Sequence, residues 1–425
     1  MSTPTQPHLP SVCFVNRCYW PDSEATGQLL TELCEYLAPR WSVSAVVGQP
    51  NWDVEDTTYS RSGVQIRNGV AIHRLLHSQL SKTAEFARIR NLISFTLAFR
   101  RWSKKVGNSV FANSNPVYSQ SISPKRPTIV CETDPFLLPL VVGGMARKCN
   151  ANLVYYLQDI YPDVAIAVGV AKNSMAMRFL RKRLKNAYLK ANKIVVLDED
   201  MRDRLVDWGI PSDRLCIVPN WMDCSVVKPA RDSNAFRVQH GMDDSFVIMH
   251  SGNMGMTQRL DVLIDAIKRP NIPRNSLLAL VGNGANRPRL EKQANGAVNV
   301  RFFDYQPRDQ LSNSLSAADL HVVSMDKSIT GCLAPSKLYG ILASGTPVLA
   351  IVPKGSAVWR LVDAHQLGWT VEPGNDLGIA DAISEASKID RQGLRAIGDR
   401  GRELAVRLFD KSICCQQFED VLKQV

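Results

Sequence analysis

Residues 246–264 read FVIMHSGNMGMTQRLDVLI. The apolar run ends at His250, glycines follow at 252 and 255, and LDVLIDAI then places apolar residues at helical spacing. This predicts a strand, a glycine-rich turn and a helix starting near Thr257. Such a turn aims backbone N–H groups and the positive end of a helix at one point, which suits a phosphate or diphosphate. Gly252 and Gly255 would let a ligand approach the backbone closely. The competing reading is a plain strand-to-helix turn.

The same alternation recurs on either side. Downstream come LLALVG, NVRFF, DLHVVSM, SKLYGILAS, PVLAIV, AVWRLVDA and GWTVE; upstream come SVCFVN, TGQLLTELCEYLA, VSAVVGQ, TIVCET, FLLPLVVGGMARK, LVYYLQD, KIVVLDE and MRDRLVDWG. Runs such as VYYL and IVVL are apolar throughout, as strands covered on both sheet faces are. The fold class is therefore α/β, with two Rossmann-like, doubly wound parallel-sheet domains facing across a cleft at the carboxyl ends of their strands. A polar stretch, Lys228 to Asp244, separates the two series. It places one domain at 1–227, a second at 228–410, and a terminal helix at 411–425 packing back on the first domain.

The chain has 425 residues, 45% hydrophobic and 21% charged. That fits two globular domains and excludes disorder or coiled coil as the main architecture. The best apolar stretch, Phe136 to Ala146, is interrupted by Pro139 and two glycines and falls short of the about 18 residues a span needs. The first twelve residues carry neither a basic nor an apolar signal region, so a cytoplasmic location is expected. Ten cysteines include no CxxC pair, and among the seven histidines there is no HxH pair and a single HxxxH spacing, His73 to His77, with Arg74, Leu75 and Leu76 between them. No metal and no other cofactor is expected. His73 and His77 read as structural imidazoles.

The net charge of +11 is concentrated in two segments. Phe86 to Cys131 and Val164 to Leu197 each hold eight Lys or Arg and no acid. Leu92, Phe95, Phe99, Trp102 and Val106 form a helical stripe in the first, and Met177, Leu180, Leu184, Ala187, Tyr188 and Ala191 form one in the second. Basic amphipathic helices suit peripheral contact with an anionic membrane surface; simple packing on the sheet is the alternative. No nucleic-acid motif accompanies the charge, so nucleic acid is not an expected partner.

A second candidate anion site is Pro335-Ser336-Lys337-Leu338-Tyr339, with Ser336 as N-cap and Lys337 in the first turn. A cation there opposes the helix dipole, a conflict that an anionic ligand would relieve.

The order GQLLTEL, QDIYPD, VPNWMD, SGNMG, VGNGA and PSKLYGILASGTPV resembles the retaining GT-B glycosyltransferases of family 4. The likeness is greatest to those that build bacterial capsule, colanic-acid and O-antigen chains. It implies that the C-terminal domain holds a UDP- or GDP-sugar and that the N-terminal domain takes a lipid-linked or other glycan acceptor. It also implies that the leaving diphosphate is neutralised without a metal, and that the enzyme works as a peripheral protein at the inner membrane face. By similarity Gly252, Asn253, Gly255 and Gln258 would line the diphosphate pocket, with Ser336, Lys337 and Leu338 opposite. Gly282, Asn283, Gly284 and Tyr305 would lie near the nucleoside, and Gly27 would bring the first loop against the phosphates.

Two departures stand out. Many members of that family carry Arg and Lys where this chain has Asn253 and Gln258, and a Glu-x7-Glu pair where it has Cys332 and Gly340. The missing pair keeps a catalytically silent scaffold among the alternatives, beside a nucleotide-sugar epimerase or hydrolase. For the chemistry, Asp159 is the first candidate, with Gln158 and Asp163 beside it in YLQDIYPD. A carboxylate at the end of that strand could orient an acceptor hydroxyl or stabilise an oxocarbenium-like transition state. A helix cap or structural ion pair is the competing role. Glu132 and Asp134 are candidates for acceptor hydroxyls, or for turn residues.

Overall fold

The computed structural model describes residues 9–22, 24–50, 58–80, 85–106, 109–112, 126–255 and 258–425, with side chains from Ile89 onward in the helix that begins at Glu85. The first sheet contains β1 (Ser11–Val15), β2 (Ser42–Val47), β3 (Gly63–Arg67), β4 (Val70–Arg74), β5 (Thr128–Glu132), β6 (Asn152–Tyr156), β7 (Lys193–Val196) and β8 (Leu215–Ile217). The second contains β9 (Phe246–Ser251), β10 (Ser276–Val281), β11 (Val300–Phe303), β12 (Leu320–Ser324), β13 (Val348–Ile351) and β14 (Gly368–Val371). Their orders are β3-β4-β2-β1-β5-β6-β7-β8 and β11-β10-β9-β12-β13-β14. All pairings are parallel except β3 with β4. The central strands are buried along their length, as the unbroken apolar runs require.

Of the edge hairpin, the end of β4 matches the strand end suggested by Arg74, Leu75 and Leu76, whereas β3 has no counterpart in the sequence reading. In β3 the apolar residues Val64 and Ile66 are 57% and 52% exposed, so the strand lacks a core-facing signal. His73 and His77 beside it are packed into the fold, His77 with both ring nitrogens hydrogen-bonded and His73 with its buried Nε2 unpartnered among the described residues. His73 packs edge-on against Trp102 and His77 against Phe95, and burial lowers both imidazole pKa values.

Helices Glu85–Val106, Pro139–Lys148 and Met175–Tyr188 lie side by side on one face of the first sheet. Phe95, Phe99, Leu184 and Tyr188 from the two predicted stripes are buried in its core. A second apolar set, Ile89, Ile93 and Leu97 with Met175 and Phe179, faces outward. The two basic helices therefore both cover a core and present apolar side chains among their cations.

After the second sheet the chain crosses back. Met222 pairs with the 409–411 segment: its N–H donates to the Phe409 carbonyl at 3.0 Å and its carbonyl accepts from Lys411 N at 3.1 Å. The helix Lys411–Lys423 then places Cys414, Cys415, Phe418, Val421 and Leu422 in the core of the first domain. Phe418 meets Phe14 and Tyr156, and Glu419 accepts from Arg40 and Trp41.

The two domains touch along the carboxyl ends of their sheets. Ile160 N–H donates to the Cys332 carbonyl at 2.7 Å, and Asp159 and Leu333 form an antiparallel bridge. Arg204 donates to the Thr330 carbonyl at 2.7 Å, and Asp200 accepts from Ala357 N at 2.8 Å.

Candidate active site

The glycine turn after β9 is built against its neighbour after β10. Gly252 N–H donates to the Val281 carbonyl, and Met254 N–H to the Asn283 carbonyl. A Cβ at Gly282 would stand 2.1 Å from the Gly252 carbonyl oxygen, and one at Gly284 would meet Asn253 and Met254 at 2.6 Å. Gly252, Gly282 and Gly284 also have φ of 126°, 125° and 157°. Only glycine allows these two turns to interlock. Tyr305, 57% exposed, caps the second turn, its hydroxyl donating to the Asn283 carbonyl at 3.2 Å.

Within the first turn, Gly255 N–H is taken by Gln258 Oε1 at 3.0 Å. That hydrogen bond changes the role expected of both residues: each satisfies the other, and the Asn253 amide is the one left without a protein acceptor among the described residues. The predicted helix start at Thr257 lies outside the described residues. The described helix is Asp261–Ala266, which follows Arg259 in the left-handed region with φ 44°; that backbone excursion delays the helix.

Lys337 crosses from the other side. It opens the helix Lys337–Ala343, and its Nζ lies 3.1 Å from His250 Nε2 and 3.6 Å from where a Gly252 Cβ would stand. No carboxylate pairs with it among the described residues. Desolvation brings its pKa down to about 7, and burial beside that cation holds His250 well below the usual imidazole range. His250 Nδ1 is buried with no hydrogen-bond partner. The helix Lys337–Ala343 thus brings a cation to the glycine turn after β9.

Ser336 stands at the N-cap position, but its hydroxyl caps nothing and its backbone is already helical. Leu338 turns its side chain into the apolar core of the second domain, 3% exposed, so only its main chain is left to face the turn that Lys337 approaches. Gly27 is buried in the helix Ala25–Leu37, where a Cβ would press on Cys18 and Tyr19 at 3.1–3.3 Å. Its smallness serves packing within its own domain.

The residues of the missing glutamate pair have structural roles. Cys332 is buried and its carbonyl joins the domains. A Cβ at Gly340 would meet Met222 at 3.2 Å and Leu315 at 3.4 Å, so the crossover segment fills the space of the second glutamate.

On the first domain, Asp159 is part-buried beside the bridge to Leu333 and has no side-chain hydrogen bond or ion pair among the described residues. Burial, with the Asp134 charge, raises its pKa to about 6. Gln158 exchanges hydrogen bonds with Asn220 at 3.0 and 3.3 Å, and its Nε2 also reaches Glu132 Oε1 at 3.4 Å. It belongs to a buried network that includes the Tyr156 hydroxyl. Glu132 is pushed well above the usual carboxyl range by burial and the Asp134 charge, and its Oε2 is unpartnered. Asp163 differs: Arg181 holds one oxygen at 2.5 Å and Arg204 the other at 3.0 Å. It takes the competing role of a structural ion pair.

The sequence reading overlooked Arg17. Its guanidinium meets Asp134 at 2.9 Å and Glu24 at 3.8 Å. Cys18, Asp22 and Glu24 also gather ligand-type atoms within 4.8 Å, with that guanidinium already meeting the Glu24 charge. The only sequence signal was an arginine following a βα strand end.

Two family models match the chain: Glycosyltransferase Family 4 over residues 27–226, and Glycosyl transferases group 1 over residues 245–388. A colanic acid biosynthesis glycosyl transferase named WcaI, from Escherichia coli K12, is 24% identical over 94% of this chain and 96% of its own. The glycosyltransferase named WbjE of Pseudomonas aeruginosa is 25% identical over 68% and 72%. Among solved structures, HepE of Anabaena with UDP and glucose superposes with a TM-score of 0.70 at 16% identity, covering 98% of this chain and all of that one. With two facing parallel-sheet domains each matched by its own model, the chain belongs to the group 1, family 4 glycosyltransferases of the GT-B fold.

Proposed function

We propose that this glycosyltransferase moves a sugar from a UDP- or GDP-sugar to a lipid-linked glycan acceptor, with retention of configuration, in bacterial cell-surface polysaccharide synthesis. The observation that carries the donor half is the Lys337 ammonium set over the Gly252–Asn253 backbone with no counter-ion among the described residues. A diphosphate supplies that counter-ion and an acceptor for the Asn253 amide. Tyr305 and the Gly282–Gly284 turn form a shelf for the nucleoside. Asp159, opposite, is placed to orient the acceptor hydroxyl or steady positive charge at the anomeric carbon. The diphosphate is neutralised by Lys337 and main-chain amides, so no metal is required.

Support for the pathway comes from WcaI, named for colanic acid synthesis, and for the donor from HepE, solved with UDP and with UDP-glucose. Among the described residues no helix is long and apolar enough to cross a membrane. Contact with the inner membrane face is assigned to the basic helices with exposed Ile89, Ile93, Met175 and Phe179. The test is transfer of radiolabelled sugar from UDP- and GDP-sugars to polyprenyl-linked acceptors, with the anomeric configuration of the product read by NMR. Absence of turnover across that panel, with UDP binding retained, would favour a silent nucleotide-binding scaffold, the reading suggested by Cys332 and Gly340.

A further inference from the structure

Between Phe86 and Leu197 the chain carries 18 Lys and Arg against four acids: Glu132, Asp134, Asp159 and Asp163. Glu132 ends β5 and the other three acids belong to the segments that follow β5 and β6, at the carboxyl ends of these strands. The three parallel helices on the outer face, Glu85–Val106, Pro139–Lys148 and Met175–Tyr188, have no acid beyond Glu85. Between the second and third of them runs an open groove of about 620 Å³. Tyr155 contributes to its floor, tied by its hydroxyl to the Pro139 carbonyl at 3.1 Å.

Two features separate this groove from an ordinary solvated helix face. Gly143 and Gly144 sit within a helix, where glycine disfavours the fold, and a Cβ at either would meet nothing within 4 Å. They leave the groove open where side chains would otherwise stand. Arg147, Arg183 and Lys190 also line it, and none has an ion pair among the described residues. Arg181, on the same helix, is by contrast held by Asp163. Three cations around one concavity with no acid to balance them favour an anion. Exposed Met175 and Phe179 on the same helix, and Leu97 and Ile93 on the outermost one, supply apolar neighbours for the rest of an amphiphile.

We infer that this groove is a binding site for the phosphodiester headgroup of an anionic phospholipid, separate from the catalytic cleft. The phosphate would sit among Arg147, Arg183 and Lys190, with the glycerol over Gly143 and Gly144. The inference rests on the membrane-contact reading and sharpens it from a diffuse charged surface to one defined pocket.

The experiment uses the full chain and short-chain phosphatidylglycerol below its micellar concentration, followed by calorimetry. Saturable binding is expected, weakened about tenfold or more in G143L/G144L, which fills the groove without altering charge, and in R183Q/K190Q. Thermal stabilisation by UDP should be unchanged in both, which also reports that they fold. Phosphatidylglycerol binding that survives G143L/G144L overturns the inference. So does equal affinity for phosphatidylcholine, or displacement of the lipid by inorganic phosphate at matching concentration, which would make the groove a free-anion site. Sedimentation with phosphatidylglycerol vesicles separates the two levels. If G143L/G144L sediments like the unmodified chain, the groove fails and membrane contact stands; if the unmodified chain does not sediment, membrane contact itself fails and the groove with it.

Discussion

Lys337 Nζ and His250 Nε2 stand 3.1 Å apart across the mouth of the glycine turn, a buried amine against an imidazole that burial keeps uncharged, with the Asn253 carbonyl 3.3 Å from the same ring nitrogen. A cation that leaves water for a partner without charge is poorly compensated, and a diphosphate corrects this. Lys337→Met is therefore expected to weaken UDP binding by about ten- to a hundredfold, the range of a lost charge-assisted hydrogen bond. The same substitution should raise the melting temperature of the ligand-free protein. Calorimetry and a thermal melt on one sample check both signs.

The same pair predicts a pH dependence. In the folded, empty protein the Lys337 pKa is about 7 against an ordinary 10.5. The facing titratable groups are His250 and His321, both shifted down by burial, and no carboxylate. Because the unfolded state binds the proton more tightly, this group's contribution to stability rises with pH between about 7 and 10.5. Donor binding runs the other way: a bound diphosphate favours the ammonium, so UDP binding takes up a proton above pH 7. Affinity should fall by up to about tenfold per pH unit there. Lys337→Arg, charged throughout, should flatten the profile.

Asp159 and Asp163 lie four residues apart and should respond oppositely. Asp159→Asn is expected to lower kcat by about a hundredfold or more while leaving the fold intact. In the unmodified enzyme activity should decline as pH drops through about 6, where Asp159 protonates. Its raised pKa also means that this group favours the folded state more as pH falls toward 3.8.

Asp163→Asn removes the shared partner of Arg181 and Arg204. The expected cost is about 2–3 kcal/mol, below the value for a fully buried pair because both arginines are partly solvated. Activity per folded molecule should be retained. Denaturant melts combined with active-site titration would separate the two effects.

Restoring the family's second glutamate should fail. Gly340→Glu drives a side chain into Met222 and Leu315, and overpacking of this kind costs about 1–3 kcal/mol or more. A lower melting temperature with no gain in turnover is expected.

Much of the fold was legible because strands buried on both faces are written as unbroken apolar runs, and VYYL and IVVL became strands β6 and β7, whereas FLLPLVV, broken by Pro139, became a helix. The β3 edge strand was not legible, since Val64 and Ile66 point at solvent and its neighbours are polar. At the site, Gly252 and Lys337 could be picked out from residue type, while Gly282 and Gly284 came from the resemblance to the family. What could not be read was which groups satisfy each other. The Gln258 to Gly255 hydrogen bond, the Asp163 clamp and the inward turn of Leu338 depend on elements far apart in the chain. A lysine at a helix start appears as an electrostatic fault until His250 is seen beneath it.

The helix that ends the crossover has a consequence for how the molecule is made. Phe418 and its neighbours complete a core whose first strand is Ser11–Val15. The domain that leaves the ribosome first therefore waits, unfinished, until some four hundred further residues have been threaded out. Its partner can close as soon as its own strands emerge. A nascent chain stopped before Cys414 should display a protease-resistant second half joined to a protease-sensitive first.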